Sequence, residues 1–165
     1  MPKSDKLERL WSPWRMQYIR NINKEKGCVF CNALKKKEDK KRFVVKKAKQ
    51  CFCILNIYPY NNGHVMIAPN RHVDNIDKLT TVERNGMMAL LVEIEKALKK
   101  ILRPDGFNVG MNIGDVAGAG IKEHIHMHIV PRWKGDTNFM TTLSGTKVIS
   151  QSLEELYESL RDAIT

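Results

Sequence analysis

Three of the five histidines in this 165-residue chain, His124, His126 and His128, alternate with Ile125, Met127 and Ile129. Successive side chains of a β-strand point to opposite faces, so this spacing puts three imidazoles on one face at a pitch of about 6.6 Å. The aliphatic trio falls on the other face and anchors the strand in a core. A row of rings that titrate near neutrality and favour strands weakly needs a reason. Two chemistries use such a row. One is metal coordination by three histidines with a position left open. The other is nucleophilic catalysis, in which one neutral imidazole attacks while its neighbours hold its second nitrogen and the developing charge. The loop Gly114-Asp115-Val116-Ala117-Gly118-Ala119-Gly120 comes just before the row. Its glycines let backbone N–H groups approach an anion, although alone it reads equally as a permissive turn. Lys plus Arg number 28 against 18 Asp plus Glu, a net charge of +10. Beside that surplus, the loop and the imidazoles point to phosphate.

The four cysteines form two pairs. Cys28-Val-Phe-Cys31 has the spacing of a metal knuckle, and that spacing also fits a buried pair or a redox motif. Cys51-Phe-Cys53 alternates like a strand, which turns both thiols to one face and suits packing in a core. The first thirty residues carry Trp11 and Trp14 among charges rather than an apolar run, so an export signal is not expected. Free thiols then fit a reducing, cytoplasmic compartment. No apolar run approaches the roughly 18 residues of a membrane span. A hydrophobic content of 42% excludes a wholly disordered chain. Nucleic acid is a weak candidate for the anionic partner, because no known module is visible and aromatics total 7%. Attraction of a polyanionic small substrate is the simpler use of the charge.

The elements that must position these residues follow from local pattern. Residues 1–27 read as an extended arm with apolar anchors at Leu10, Trp11 and Trp14. The charge run from Lys35 to Arg42 reads as a solvated loop. Phe43–Lys47, Gln50–Leu55 and His64–Ala68 are short and rich in β-formers, the last stopped by Pro69. The turn-like cluster from Tyr58 to Gly63 joins two of them, suggesting a meander. Thr80 with Glu83 forms a capping box. Met87, Met88, Leu91, Ile94, Leu98 and Ile101 then recur at helical spacing up to Pro104. Phe107–Ile113 reads as a strand interrupted by Asn108, and Glu123–Val130 as the strand of the imidazole row. A closing helix capped by Ser152 presents Leu153, Leu156, Tyr157, Leu160 and Ile164. Strands grouped between helices predict an α+β fold with an antiparallel sheet of about five strands, one long helix and a C-terminal helix. No linker divides the chain, so residues 1–165 are expected to form one domain, with a core over 28–140 and a helical extension over 141–165.

His124-Ile125-His126-Met127-His128-Ile129-Val130 matches the signature of the histidine triad (HIT) superfamily of nucleotide hydrolases and transferases. Leu55-Asn56-Ile57-Tyr58-Pro59-Tyr60-Asn61-Asn62-Gly63-His64-Val65-Met66-Ile67-Ala68-Pro69 resembles the family's earlier half-site. Leu10–Arg15 and Val130–Phe139 are similar to the branch containing prokaryotic diadenosine tetraphosphate phosphorylases. The resemblance implies a HIT-like fold and a homodimer. It implies His126 as a nucleophile toward the α-phosphorus of a nucleoside polyphosphate, His128 as the third triad member and His64 as the residue orienting them. It implies nucleotide contacts from Asn56, Asn112, Gly118 and Gly120, with Val65 and Ile67 walling the base pocket. Where many members carry Gln or Ser after the loop glycine, this chain has Ala119, and Lys122 is a substitute source of charge. The family's zinc-containing members imply a structural zinc held by Cys28, Cys31, His72 and His124.

Three activities fit these residues. The first is an enzyme transferring a nucleotide through His126, as phosphorylase or hydrolase on dinucleoside polyphosphates or as a phosphoramidate hydrolase. The second is a nucleotide-binding regulator with little catalysis. The third is a nucleic-acid binder.

Overall fold

The computed structural model describes residues 27–35, 38–137 and 149–164. The Trp11–Trp14 arm and the Asn138–Phe139 end of the family-like segment lie outside these residues. Three strands come first: β1 (Val44–Lys47), β2 (Cys51–Leu55) and β3 (Val65–Pro69). They pair antiparallel in sequence order, the meander expected from their β-formers and the turn between β2 and β3. The long helix α2 (Thr81–Leu102) then carries the chain past the sheet to β4 (Gly106–Met111). Strand β5 (Met127–Arg132) returns into the gap that this crossing leaves, between β3 and β4. The resulting order is β1-β2-β3-β5-β4, with all neighbours antiparallel. Helix α3 (Leu153–Ala163) closes the described chain. No helix among the described residues is long and apolar enough to cross a membrane.

Period-2 alternation splits the sheet's side chains between two cores. Cys51, Cys53, Leu55, Val65, Ile67, Met127 and Ile129 face α2 and α3, where they meet Met87, Ile94, Leu98, Leu156 and Leu160. Phe52, Ile54 and Ala68 face the other way and meet Phe30 and Ala33. Those two belong to a short helix, α1 (Val29–Lys35), that sequence pattern alone did not reveal. Phe30, Ala33 and Leu34 have the i, i+3, i+4 spacing of a helix, but seven residues give periodicity little room to show.

Helix α2 begins as its capping box dictates: Thr80 accepts from the Glu83 N–H while Glu83 reaches back to the Thr80 N–H at 2.8 Å. Glu83 is nearly buried and also takes Arg71 at 2.8 and 3.0 Å, which holds its carboxyl down to about pKa 2. Ser152 caps α3 through the Glu155 N–H, as expected. Several boundaries differ from the sequence reading. Met88 is half exposed, and Leu90 takes the buried place, because the core-facing stripe runs Met87–Leu90–Ile94–Leu98. Asn108 does not interrupt β4; it pairs with Val130 and turns its side chain outward to Arg132. The imidazole strand enters the ladder only at Met127, not at Glu123. Upstream of it, the Ile125 N–H donates to Val73 O at 2.6 Å, drawing the chain away from the sheet. Of the basic run, Glu38, Lys40 and Lys41 are exposed as expected whereas the Arg42 side chain is largely covered, and pairs such as Lys40–Glu158 and Lys47–Asp39 contribute little to stability.

The turn before β3 needs glycine. Gly63 has φ +76°, and a Cβ there would lie 2.5 Å from Leu102 Cδ1 and 2.8 Å from Pro131 Cγ. Left-handed strain and overpacking act together in Gly63→Ala, so it should destabilise by about 2–4 kcal/mol. A shift of the urea midpoint measures this, and an unchanged midpoint contradicts the close packing of α2 and β5 on this turn.

Candidate active site

The alternation inferred for the imidazole row holds for His126 and His128 but not for the His124 ring, which turns to the cysteines. Ile125, Met127 and Ile129 enter the helix-side core, and the rings of His126 and His128 lie 4.8 Å apart on the other face. His64, just ahead of β3, brings its ring within 5.1 Å of His128. Three histidines from two distant segments thus form one cluster beside α1. The Phe30 ring packs on His126 at 4.9 Å and on His124 at 5.2 Å. The apolar pair inside Cys28-Val-Phe-Cys31 was the available signal for this contact.

Hydrogen bonds assign the tautomers. The His126 Nδ1–H donates to the carbonyl of His124 at 2.9 Å, so its lone pair is on Nε2. The Tyr60 N–H donates to His64 Nδ1 at 3.0 Å, which puts the His64 proton on Nε2. That proton is donated to His128 Nδ1 at 2.9 Å, which leaves His128 with an Nε2–H. One ring therefore presents a lone pair and its neighbour a donor. Asn56 supports the relay: the Tyr58 N–H fixes its Oδ1 at 2.9 Å, and its Nδ2 reaches His64 Nδ1 at 3.3 Å.

Burial keeps these rings neutral. His64 is 1% and His126 3% exposed. Desolvation, reinforced by the neighbouring imidazoles of His128 and His126, lowers the His64 pKa to about 3. Desolvation with the His126 ring lowers His128 to about 4. His126 is lowered by burial and partly restored by its bond to the His124 carbonyl.

His124 does not face this cluster. Its Nδ1 lies 3.4 Å from Cys28 Sγ and 3.7 Å from Cys31 Sγ, and His72 Nδ1 lies 3.3 Å from Cys31 Sγ. Donor atoms of all four residues fall within 4.8 Å of one another. Tetrahedral zinc with usual bond lengths separates its sulfur and nitrogen ligands by about 3.6 Å, so the set fits the ion. The His124 Nε2–H donates to Pro69 O at 2.9 Å, the outer-shell bond that leaves Nδ1 free to ligate. Burial lowers the His124 pKa to about 4, the neutral form a ligand needs. Arg71, clamped by Glu83 and Lys78 O, stiffens the segment that carries His72.

The remaining expected residues divide. Asn112 spans the glycine loop, its Nδ2 donating to Gly118 O at 3.4 Å, and Gly118 takes the left-handed conformation. Gly120 is exposed, and Lys122 pairs with Asp115 at 3.3 Å. Gly114, Asp115 and Lys122 line an open hollow of about 670 Å³ with His72, Asp74 and Lys78. Its walls include none of His64, His126 and His128, so it opens beside His72 of the Cys₂His₂ set and is not the mouth of the imidazole cluster. Val65 and Ile67 do not wall a pocket on the His64 side. They lie an odd number of residues from His64, so alternation sends them into the α2 core, fully buried; Met66 and Ala68 share the imidazole face.

An antiparallel α+β sheet with a buried histidine cluster and a separate Cys₂His₂ set defines the class. The HIT domain family model matches residues 37–135, and the chain belongs to the HIT family. AP-4-A phosphorylase of Mycobacterium tuberculosis is 39% identical over 158 residues, covering 92% of this chain and 81% of that protein. The asymmetrical bis(5'-nucleosyl)-tetraphosphatase of Schizosaccharomyces pombe is 29% identical over 90 residues, covering 54% of this chain and 49% of that one. A zinc-bound histidine triad family protein from Mycobacterium smegmatis superposes with a TM-score of 0.68 at 28% identity, covering 84% of this chain and 93% of its own.

Lowered histidine pKa values make the fold acid-sensitive. The unfolded chain takes up protons at His64 and His128 near pH 6.5, while the folded chain does so only near 3 and 4. Stability from these rings is complete above about pH 6.5 and is lost as pH falls toward 4. Urea midpoints should already drop between about pH 6.5 and pH 5, above the carboxylate range. A flat midpoint across that window contradicts the neutral relay.

Proposed function

We propose that this chain is a nucleotidyl-transferring enzyme acting at the α-phosphate of dinucleoside polyphosphates through a covalent nucleotidyl-His126. The observation that carries this reading is the bond from the His126 Nδ1–H to the His124 carbonyl, which aims an Nε2 lone pair beside the Nε2–H of His128. In the first step Nε2 of His126 attacks the α-phosphorus, forming a P–N bond as the P–O bond to the leaving nucleoside polyphosphate breaks. The His128 Nε2–H donates to a phosphate oxygen as charge builds there, in a partly buried site where such a donor counts for more than in bulk water. An acceptor then attacks the α-phosphorus, and the His126 nitrogen leaves with its lone pair restored. The 39% identical AP-4-A phosphorylase favours inorganic phosphate as that acceptor. Asn56, Asn112 and the Gly118–Gly120 loop are the candidate sugar and phosphate contacts, and the net charge of +10 draws in the polyanion.

Cys28, Cys31, His72 and His124 would hold a structural zinc, which supplies rigidity and no reacting group. The same residues tie α1 and the His72 segment to the backbone that bears the His124 carbonyl. Such thiolate ligands suit a reducing, cytoplasmic setting. Strand β4 is an outer strand of the sheet, with Val109 half exposed on it. A second copy pairing along this edge would form the expected homodimer, and sedimentation should show that dimer.

Incubation with diadenosine tetraphosphate tests the activity. Phosphorolysis gives ADP and ATP only when inorganic phosphate is present, whereas hydrolysis gives AMP and ATP without it. His126→Ala should lower turnover by about 10⁴-fold or more while nucleotide binding survives, and quenched wild-type enzyme should carry a nucleotide mass on His126. Normal turnover by His126→Ala refutes the mechanism. Stoichiometric nucleotide binding by an intact chain that never turns over identifies a regulator instead.

Zinc analysis should find one ion per chain. Chelation should lower the thermal midpoint by about 5–10 °C, with recovery on zinc addition. An unchanged midpoint with no metal bound argues that the four ligands serve only as a packed cluster.

A further inference from the structure

Tyr60 is not used by the transfer chemistry above, yet it touches both histidines of the relay. Its ring lies 4.7 Å from His64, tilted by 37°, and 5.9 Å from His128, nearly parallel at 28°. Its backbone N–H is the donor that sets the His64 tautomer. Unlike the residues on the other side of the cluster, Tyr60 is 48% exposed, so one face of its ring covers the histidines and the other meets solvent. Phe30 closes the opposite, interior end of the same ring stack. The segment carrying Tyr60 is pinned by its neighbour Asn61, whose Nδ2 donates to Pro131 O at 3.0 Å and to Asp136 Oδ2 at 2.8 Å. A ring at this place is therefore held by the fold rather than resting on the surface.

We propose that Tyr60 is a positioning residue whose ring closes the solvent side of the His64–His128 pair and so keeps His128 presenting its Nε2–H to the substrate phosphate. The proposal rests on the reading of His126 and His128 as the reacting pair. The relay tolerates no additional proton. A proton added to His64 must go to Nδ1, where it faces the Tyr60 N–H. A proton added to His128 must go to Nδ1, where it faces the His64 Nε2–H. Either event sets two donors against each other and frees the rings to turn. Water admitted over the pair favours the charged forms and therefore this breakage. The titratable groups facing the pair from adjoining segments are His126, ahead of β5, and Tyr60 itself; Asn56 contributes a neutral amide. The ring, rather than the hydroxyl, is what excludes water.

The test compares wild type, Tyr60→Phe and Tyr60→Ala as full-length protein, by imidazole ¹⁵N NMR through a pH titration and by kcat/KM profiles. Wild type and Tyr60→Phe should show single Nε2–H tautomers for His64 and His128. In Tyr60→Ala both residues should show mixed tautomers and titrate closer to pH 6.5, with kcat/KM falling about tenfold more at about pH 6 than at about pH 8 and KM little changed. Two results overturn the proposal. One is a Tyr60→Ala protein whose tautomers and titrations match wild type. The other is a Tyr60→Phe protein that loses as much as Tyr60→Ala, which would assign the effect to the hydroxyl. The NMR result does not depend on turnover, so it separates failure of this proposal from failure of the catalytic reading, which His126→Ala decides.

Discussion

The geometry of the site depends on a hydrogen bond between residues only two apart, from the His126 ring to the His124 carbonyl. In a regular ladder, a backbone carbonyl is taken by the neighbouring strand or points along the ladder toward it. Here β5 begins at Met127, and the preceding residues leave the sheet with Ile125 bonded to Val73. The departure lets the His124 carbonyl serve a side chain instead of a strand. It also frees the His124 ring to turn toward the cysteines while His126 stays on the sheet face. Neighbouring members of one motif thus acquire different surroundings and different hydrogen-bond partners.

The two ends of the ring stack are held by different means. On the inner side, the Cys₂His₂ set gathers α1, the His72 segment and His124, and Phe30 of α1 packs directly on the His126 ring. On the outer side, a backbone N–H orders His64, and His64 orders His128. Between them the imidazoles are desolvated far enough to stay neutral at physiological pH, which preserves both the lone pair of His126 and the donor of His128. Neutrality is a consequence of burial, so the packing that stabilises the sheet also sets the protonation the chemistry needs. Gly63 belongs to the same constraint: only a residue without Cβ lets Leu102 and Pro131 close over the turn that delivers His64.

Much of this was legible in residue order. Alternation placed Ile125, Met127 and Ile129 in the core and His126 and His128 opposite them. Thr80 and Glu83 marked the start of α2, and Cys51 and Cys53 read correctly as core thiols. These are local properties, governed by periods of 2 and 3.6 residues and by capping within one turn. The HIT signature was also a local string, and its family follows from it. Val65 and Ile67 were misplaced where resemblance was followed and alternation was not, since parity alone sends them away from His64.

The sequence by itself determined which side chains share a face, where α2 and α3 begin, and which residues are candidates to act on phosphate or bind a metal. Each follows from spacing along one element. Tertiary structure decided what no spacing contains: that Tyr60 lies over two imidazoles, that Phe30 reaches His126, and that Cys28, Cys31, His72 and His124 converge. It also decided which nitrogen of each ring holds its proton, because a tautomer is set by the partner across the fold. Those partners come from segments far apart in the chain, and only packing of the sheet against its helices brings them within hydrogen-bonding distance.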